Sequence, residues 1–341
     1  MKESSLLTMA IESSCDETSV ALVRDGRQVL SNIISSQIDV HKAYGGVVPE
    51  IASRHHLENI NSVTDMALKE AGITLDQVDF FSVTYGPGLV GALLIGVATA
   101  KAYALACNKP LVGVHHIQGH ISANYIEHPD LEPPFMALVV SGGHTSIVKV
   151  DDYNSYKVLG GTRDDAAGEA FDKVARVLGL GYPGGPLIDK LAKEGMRDAV
   201  PFKRVFLERG SMDFSFSGLK TSVFNYVNNE KQAGREINIA DVAASFQEAV
   251  MDVIVEKSVD AAVFHGEDKL VLAGGVACNS RLREKLAERC AKENIKIYMP
   301  SPILCTDNAA MIGAAGYYKY MVGETMDLSM DAVAHMELGT V

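Results

Sequence analysis

Cysteine is scarce and without pattern. The five residues, Cys15, Cys107, Cys278, Cys290 and Cys305, are odd in number, far apart and contain no CxxC pair. Neither a disulfide framework nor a cysteine zinc ribbon follows, and reduced thiols in a cytoplasmic protein are the simplest setting. Basic charge is also short. Lys+Arg number 31 against 43 Asp+Glu, a formal net charge of -12. A protein that coats nucleic acid by bulk charge needs a basic face. This composition leaves room for a local patch, around Arg54 or Lys203-Arg204, or for a basic partner. MKESSLLTMAIESS shows no long apolar run ending at a cleavage site, so no secretory leader is read there. Neither of the glycine turns Ser141-Gly142-Gly143 and Gly274-Gly275 forms a GxGxxG or a P-loop ending in GKS or GKT, and HExxH and low-complexity tracts are missing. Their absence argues against a dinucleotide fold, a Walker-type ATPase, a metalloprotease with a placed glutamate base, and a disordered chain.

What is present is an ordinary globular composition, 47% hydrophobic and 22% charged over 341 residues, enough for two domains. The one long apolar run, Leu89–Cys107, carries Lys101 and many Gly and Ala, and follows a strand-like Val78–Thr84 through a Gly-Pro-Gly turn. It reads as a buried core helix rather than a membrane span. The opening pattern is strand, polar turn, strand: Met9–Glu12, Ser13–Glu17, Thr18–Arg24, with a third strand at Gln28–Ser36. A helix starts at Pro49 and stops at Gly72, and Leu111–Val114 is a further strand. Met136–Val150 then matches Met9–Val23 without a gap at an offset of 127 residues, with six of fifteen positions identical. This pattern implies two related domains, 1–132 and 133–341, joined at Pro133-Pro134, with the last helix able to return to the first domain. The second half continues with helices at Ala166–Leu178, Pro186–Lys193, Leu219–Asn228, Ile239–Phe264, Asn279–Lys292 and Asp307–Met321, and strands at Lys269–Ala273 and Ile295–Met299.

Three constellations carry chemistry. His116 and His120 share one face if their segment is helical, and two imidazoles bind zinc, iron or nickel when a third ligand joins them. Asp307 is a candidate third ligand, although it could equally be a helix N-cap. Glycine turns follow strands at Ser141-Gly142-Gly143 and Gly274-Gly275, with a third glycine pair at Gly184-Gly185. Backbone amides in such turns can approach a phosphate closely. Asp164, Asp165, Glu169 and Asp172 surround a helix start, where acidic residues suit the dipole; Glu169 and Lys173 form an i,i+4 pair, and Asp172 could bond a ribose. The aromatic loop Asp213–Thr221 could stack a base but more simply plugs a core.

In order, IESSCDETS (11–19), GGVVPEIASRHH (45–56), GPGLVGALLIG (86–96), HHIQGH (115–120), VSGGHT (140–145), DDAAGEAFDKVAR (164–176), YPGGP (182–186), DFSFSGLKT (213–221), GGVACN (274–279) and TDNAAM (306–311) resemble the bacterial tRNA adenosine threonylcarbamoyltransferase family over nearly the whole chain. Only the first motif departs, reading IESS for an expected IETS. The resemblance implies an α/β protein of the actin-like ATPase fold, with two duplicated RNase H-like domains around a nucleotide cleft. It implies transfer of a threonylcarbamoyl group from threonylcarbamoyl-AMP to tRNA. It implies His116, His120 and Asp307 as ligands of one divalent metal, Fe2+ or Zn2+, and Val139, Val140, Ser141, Gly142, Gly143, Asp172, Gly185, Asp189 and Asn279 as adenylate-binding. Asp16 and Glu17 would be the catalytic pair, where a proton acceptor is conceivable. A paralogous dimerisation subunit and a small P-loop ATPase are the implied partners. The other readings are an ATP-dependent phosphotransferase of the same fold, which has no use for the histidine pair, a metalloprotease, and a scaffold subunit.

Overall fold

Leu7–Glu12 (β1) is buried at every residue, as a strand packed on both faces must be. In the computed structural model, which describes residues 5–339, β1 is the centre of a five-stranded sheet. The first four residues, where the reading of a missing leader begins, lie outside that range. Antiparallel β2 (Glu17–Arg24) and β3 (Gln28–Ser36) lie to one side. The short α1 (Ile38–Lys42) leads to α2 (Pro49–Ala71), which has proline in its first turn and ends at Gly72 with φ 66°. Parallel β4 (Phe80–Gly86) and β5 (Leu111–His115) complete the sheet, in the order β3-β2-β1-β4-β5. Between them runs α3 (Val90–Cys107), and β5 passes directly into α4 (His116–Glu127).

α3 is long and apolar enough to cross a membrane. One face, with Ala92, Leu93, Val97, Ala100 and Ala104, is buried and packs on β4 and α2. Val90, Leu94 and Leu105 on the other side are exposed.

The second sheet repeats the first. It is built from β6 (Phe135–Val140), β7 (Thr145–Asp152) and β8 (Ser155–Gly161), then α5 (Ala167–Val177), α6 (Gly184–Ala192), α7 (Ser217–Gln232), α8 (Ile239–His265), β9 (Lys269–Ala273), α9 (Ser280–Lys292) and β10 (Lys296–Tyr298), in the order β10-β9-β6-β7-β8. The offset of 127 holds at the level of hydrogen-bonding register. Met9 faces Leu22 in the first hairpin, and Met136 faces Lys149 in the second; Ile11–Val20 becomes Leu138–Ile147. α10 (Pro302–Cys305) and α11 (Ala309–Met321) follow.

The chain divides into two compact units. One comprises Met1–Pro133, Asp152–Tyr156 and Pro300–Val341, the other Pro134–Asp151 and Lys157–Met299. The break falls between the two prolines of the linker. The whole segment from Pro300 onward, not its last helix alone, belongs with the first unit, against an expected second domain of 133–341. There α11 packs on β1, β2, β4 and α4. Its Ala309–Gly316 run is entirely buried, and a Cβ on Gly313 would stand 2.7 Å from Val23 Cγ2, so a small residue lets the helix sit directly on the sheet. Other differences are local. β4 begins at Phe80 rather than Val78, α6 begins two residues before Pro186, and β8 has no counterpart in the sequence pattern.

Candidate metal centre and ligand cavity

The segment His116–His120 is helical, so the two imidazoles rise from one face of α4. Both are buried. Their Nε2 atoms lie 3.1 Å apart, and Asp307 Oδ1 lies 3.2 Å from His120 Nε2 and 3.6 Å from His116 Nε2. Gly119 allows this approach: a Cβ there would stand 2.6 Å from Ile312 Cδ1, so α4 can press against α11 beside Asp307. The N-cap of α11 is Asn308, whose side chain accepts from Met311 N–H at 3.1 Å. Asp307 is thus released from the capping role that its sequence position left open.

Donors bound at about 2.1 Å to one tetrahedral ion stand roughly 3.4 Å apart. The three observed separations suit two nitrogens and one carboxylate oxygen around a single divalent cation, and the set fits zinc or ferrous iron equally. Without an ion the cluster holds a proton instead. Burial pushes the His116 pKa down, but the Asp307 and Glu12 carboxylates outweigh it and lift the group to about 9. Metal binding replaces that proton.

Asp16 and Glu17 sit at the turn between β1 and β2. Asp16 is buried, and Glu17 accepts from the Ser36 hydroxyl at 3.1 Å. Burial, followed by the negative charges of Asp307 and Asp16, pushes the Glu17 pKa far above the usual carboxylate range. His56, from α2, ties this turn down through Thr18 Oγ1 at 2.8 Å and the Cys15 carbonyl at 2.9 Å.

A cavity of about 480 Å³ lies within the second unit, walled by Gly142, Asp172, Gly185, Asp189 and Asn279 among others. Asp172 Oδ1 accepts the Gly184 N–H at 2.7 Å, at the start of α6. Burial raises the Asp172 pKa, opposed by the amides of Gly184 and Gly185. Asp189 takes the Ser280 hydroxyl at 2.8 Å. Asn279 caps α9 through Leu282 N–H at 3.0 Å and donates to Gln247 at 2.8 Å. The remaining expected ligand residues are not on this wall. The side chains of Val139 and Val140 are wholly buried in β6. The Ser141 N–H is held by the His144 carbonyl at 2.8 Å, which leaves any anion-binding role in this turn to the amides of Gly142 and Gly143.

A family profile described as tRNA N6-adenosine threonylcarbamoyltransferase matches residues 28–314. A relative of that description from Clostridium botulinum (strain Kyoto / Type A2) is 59% identical over 339 residues, 99% of each chain. This chain belongs to that family. Another relative so described, from Clostridium perfringens (strain 13 / Type A), is 57% identical over 333 residues, 98% of each chain. Among solved structures, full-length HypF in its phosphate- and nucleotide-bound form gives a TM-score of 0.63 at 13% identity, over 93% of this chain and 46% of that one. Component A of the Acidaminococcus fermentans (R)-2-hydroxyglutaryl-CoA dehydratase gives 0.54 at 15% identity, over 94% and 99%. At such identities they speak for the fold alone, which is the actin-like ATPase fold.

Two sequence motifs turn out to be structural partners of one another. Asp164 accepts from the Ser215 and Ser217 hydroxyls at 2.6 and 2.7 Å and from Phe216 N–H at 2.8 Å. Asp165 pairs with Lys173 at 2.7 Å and with Lys220. The aromatic loop is thereby clamped, with Phe214 and Phe216 buried rather than presented to a base. One residue of the metal centre is not among those the sequence motifs single out: Glu12, whose Oε2 lies 3.3 Å from His116 Nδ1. It lies within the IESSCDETS motif, which gave it no role of its own, at the end of an otherwise mostly apolar strand.

Proposed function

We propose that this chain transfers a threonylcarbamoyl group from threonylcarbamoyl-AMP to the exocyclic amine of the adenosine immediately 3′ of the anticodon, in tRNAs reading codons that begin with A. Family membership makes it a transferase that acts on tRNA. The convergence of His116, His120 and Asp307 carries the reading, because an ATP-dependent phosphotransferase of the same fold has no use for it.

The donor is a mixed carbamic-phosphoric anhydride, so AMP is already a good leaving group. The adenosine amine is a poor nucleophile, its lone pair delocalised into the ring. Catalysis therefore consists mainly of holding, aligning and managing one proton. His116, His120 and Asp307 would hold one divalent ion, Fe2+ or Zn2+, which would supply Lewis-acid chemistry for the carbonyl group when bound. The cavity of the second unit receives the nucleotide, with Asp172 toward a ribose hydroxyl and Gly185 and Asp189 on the wall. The amides of Gly142 and Gly143 stabilise phosphate charge, while Val139, Val140 and Ser141 shape the turn that presents them. Asn279 fixes the α9 terminus beside the same cavity. Asp16 and Glu17 manage the proton lost from the amine.

The enzyme works in the cytoplasm with a paralogous dimerisation subunit and a small P-loop ATPase. On this reading the exposed apolar side chains of α3, Val90, Leu94 and Leu105, are the surface that the paralogous subunit would cover. Reconstitution with tRNA, the adenylate donor and each partner in turn, read by mass spectrometry of modified adenosine, tests the activity. His120→Ala and Asp307→Ala should lose bound metal and modification together. Full activity in a stable, metal-free double variant would sink the metal role, and phosphorylation of a small metabolite without a tRNA product would favour the phosphotransferase.

A further inference from the structure

β1 ends on a carboxylate that water does not reach: Glu12 is 0% exposed. Such a group persists only with dedicated partners. Its Oε1 accepts the Ser14 N–H at 2.6 Å, and its Oε2 accepts the Thr84 hydroxyl at 2.5 Å and faces His116 Nδ1 at 3.3 Å. The Ser14 hydroxyl lies beside the same nitrogen, at 3.1 Å.

The fold itself does not call for this carboxylate. Glu12 pairs with Ser19 in the first hairpin; 127 residues on, Val139 pairs with Ser146 in the second. Val139 is equally buried. The same strand position is filled by valine in the copy that has no histidine pair after its fifth strand. The carboxylate therefore goes with His116, not with the strand.

An imidazole has two nitrogens. One that offers the Nε2 lone pair to a cation carries its proton on Nδ1, and that proton needs an acceptor. His116 Nε2 faces His120 Nε2 and Asp307, while its Nδ1 faces Glu12 and Ser14. The buried His120 Nδ1 has no such partner among the described residues. His116 is thus the ligand whose ring is held from behind.

We propose that Glu12 is a positioning residue of the metal centre: its carboxylate accepts a hydrogen bond from His116 Nδ1–H and so keeps the Nε2 lone pair turned toward the ion. Thr84 and the Ser14 amide hold the carboxylate in that orientation. The inference rests on the reading of His116, His120 and Asp307 as metal ligands.

The test strips the purified protein of metal and titrates Co2+ and Zn2+ against a chromophoric chelator, comparing wild type with Glu12→Gln, Glu12→Val and His120→Ala. Glu12→Gln is expected to weaken metal binding about 10- to 100-fold and to change the Co2+ absorption bands, while cooperative unfolding is kept. Glu12→Val, which copies the second hairpin, should do the same. Wild-type affinity and spectrum in both Glu12 variants, with binding lost in His120→Ala, would overturn the positioning role and leave the ligand set standing. Unchanged binding in His120→Ala would overturn the ligand set and this inference with it. One measurement needs no variant. In 15N-histidine-labelled, Zn2+-loaded wild type, the His116 proton should reside on Nδ1, and an unprotonated Nδ1 would refute the proposal.

Discussion

Gly184 and Gly185 are adjacent, yet alanine at the two positions should act in opposite ways. A Cβ on Gly184 would stand 2.6 Å from Ala175 Cβ, 2.7 Å from Asp172 Cα and 2.8 Å from the Phe171 carbonyl oxygen. Two of those three atoms are backbone and cannot turn aside, so the N-terminus of α6 must move away from α5. Forced overpacking of this kind costs about 1–3 kcal/mol. For a domain of this size that corresponds to a fall of roughly 2–12 °C in Tm. The shift also draws the Gly184 N–H away from Asp172, which it reaches at 2.7 Å. A Cβ on Gly185 meets nothing within 4 Å. Gly185 precedes Pro186 in the first turn of α6, where the proline ring crowds a Cβ on the residue before it; this offsets the helix preference for Ala of about 0.5–1 kcal/mol, so Gly185→Ala should melt close to wild type. Its methyl group, however, occupies the wall of the 480 Å³ cavity, and AMP should bind at least about tenfold more weakly, roughly 1.4 kcal/mol. Scanning calorimetry and AMP titration of the two single variants read both effects. Wild-type AMP affinity in Gly185→Ala would show that this cavity is not the nucleotide site, and an unchanged Tm in Gly184→Ala would refute the packing argument.

Glu248 accepts from Arg281 at 2.7 and 2.9 Å and from Lys285 at 2.6 Å. Burial acts to raise its pKa, but these two cations hold it down to about 2. A depressed pKa means stability that is complete above the ordinary value of 4.5 and is lost as pH falls through about 2; Glu248→Ala should cost about 1–3 kcal/mol near neutrality and flatten that acid limb in urea melts, whereas an unchanged limb would contradict the assignment. With a formal charge of -12, the isolated chain should bind tRNA weakly and with a steep salt dependence; nanomolar binding at high salt in a filter assay would disprove this. Leu94→Arg should abolish co-purification of the paralogous subunit without lowering Tm, because Leu94 is exposed on α3; retained association would move the interface elsewhere.

Much of the candidate site could be located in the sequence because it is built from local signals. A histidine pair at helical spacing, glycine pairs after strands and a repeated strand-turn-strand each declare themselves within a few residues. β8 was not legible: SYKVLGG is mostly half-exposed, ends in two glycines and forms the sheet edge, so neither alternation nor a buried apolar run marks it. The clamp of Asp164 on the aromatic loop spans about fifty residues, and no local pattern couples the two ends. Asp307 and Asn308 are chemically similar candidates for one cap, and only backbone geometry decides that Asn308 takes it. Glu12 is a single carboxylate at a strand end, and its meaning depends on which residues the sheet and α4 bring beside it.

The two hairpins share one register, and their turns differ in chemistry. In the first, the turn after β1 reads Ser13-Ser14-Cys15-Asp16-Glu17, an acidic lip beside the metal ligands. In the second, the equivalent turn reads Val140-Ser141-Gly142-Gly143-His144, and its Ser141 and Gly142 carbonyls accept the Gly168 and Glu169 N–H groups at the start of α5; on the proposed reading its own glycine amides face an anion. The proposed metal ligands, too, come from equivalent places. His116 and His120 lie on α4, which follows the fifth strand of the first sheet, and Asp307 lies between α10 and α11, which follow the fifth strand of the second. Neither repeat contains the complete donor set in its own sequence. A chain ending before Pro300 would keep β1–β5, Glu12 and both histidines, yet would lack Asp307, the carboxylate of the proposed donor set, and the buried helix α11 that packs against α4. On the proposed ligand set, metal binding would therefore be a property of the whole duplicated chain: the His116–His120 face meets the Asp307 carboxylate only because the segment beyond the second sheet belongs with the first unit.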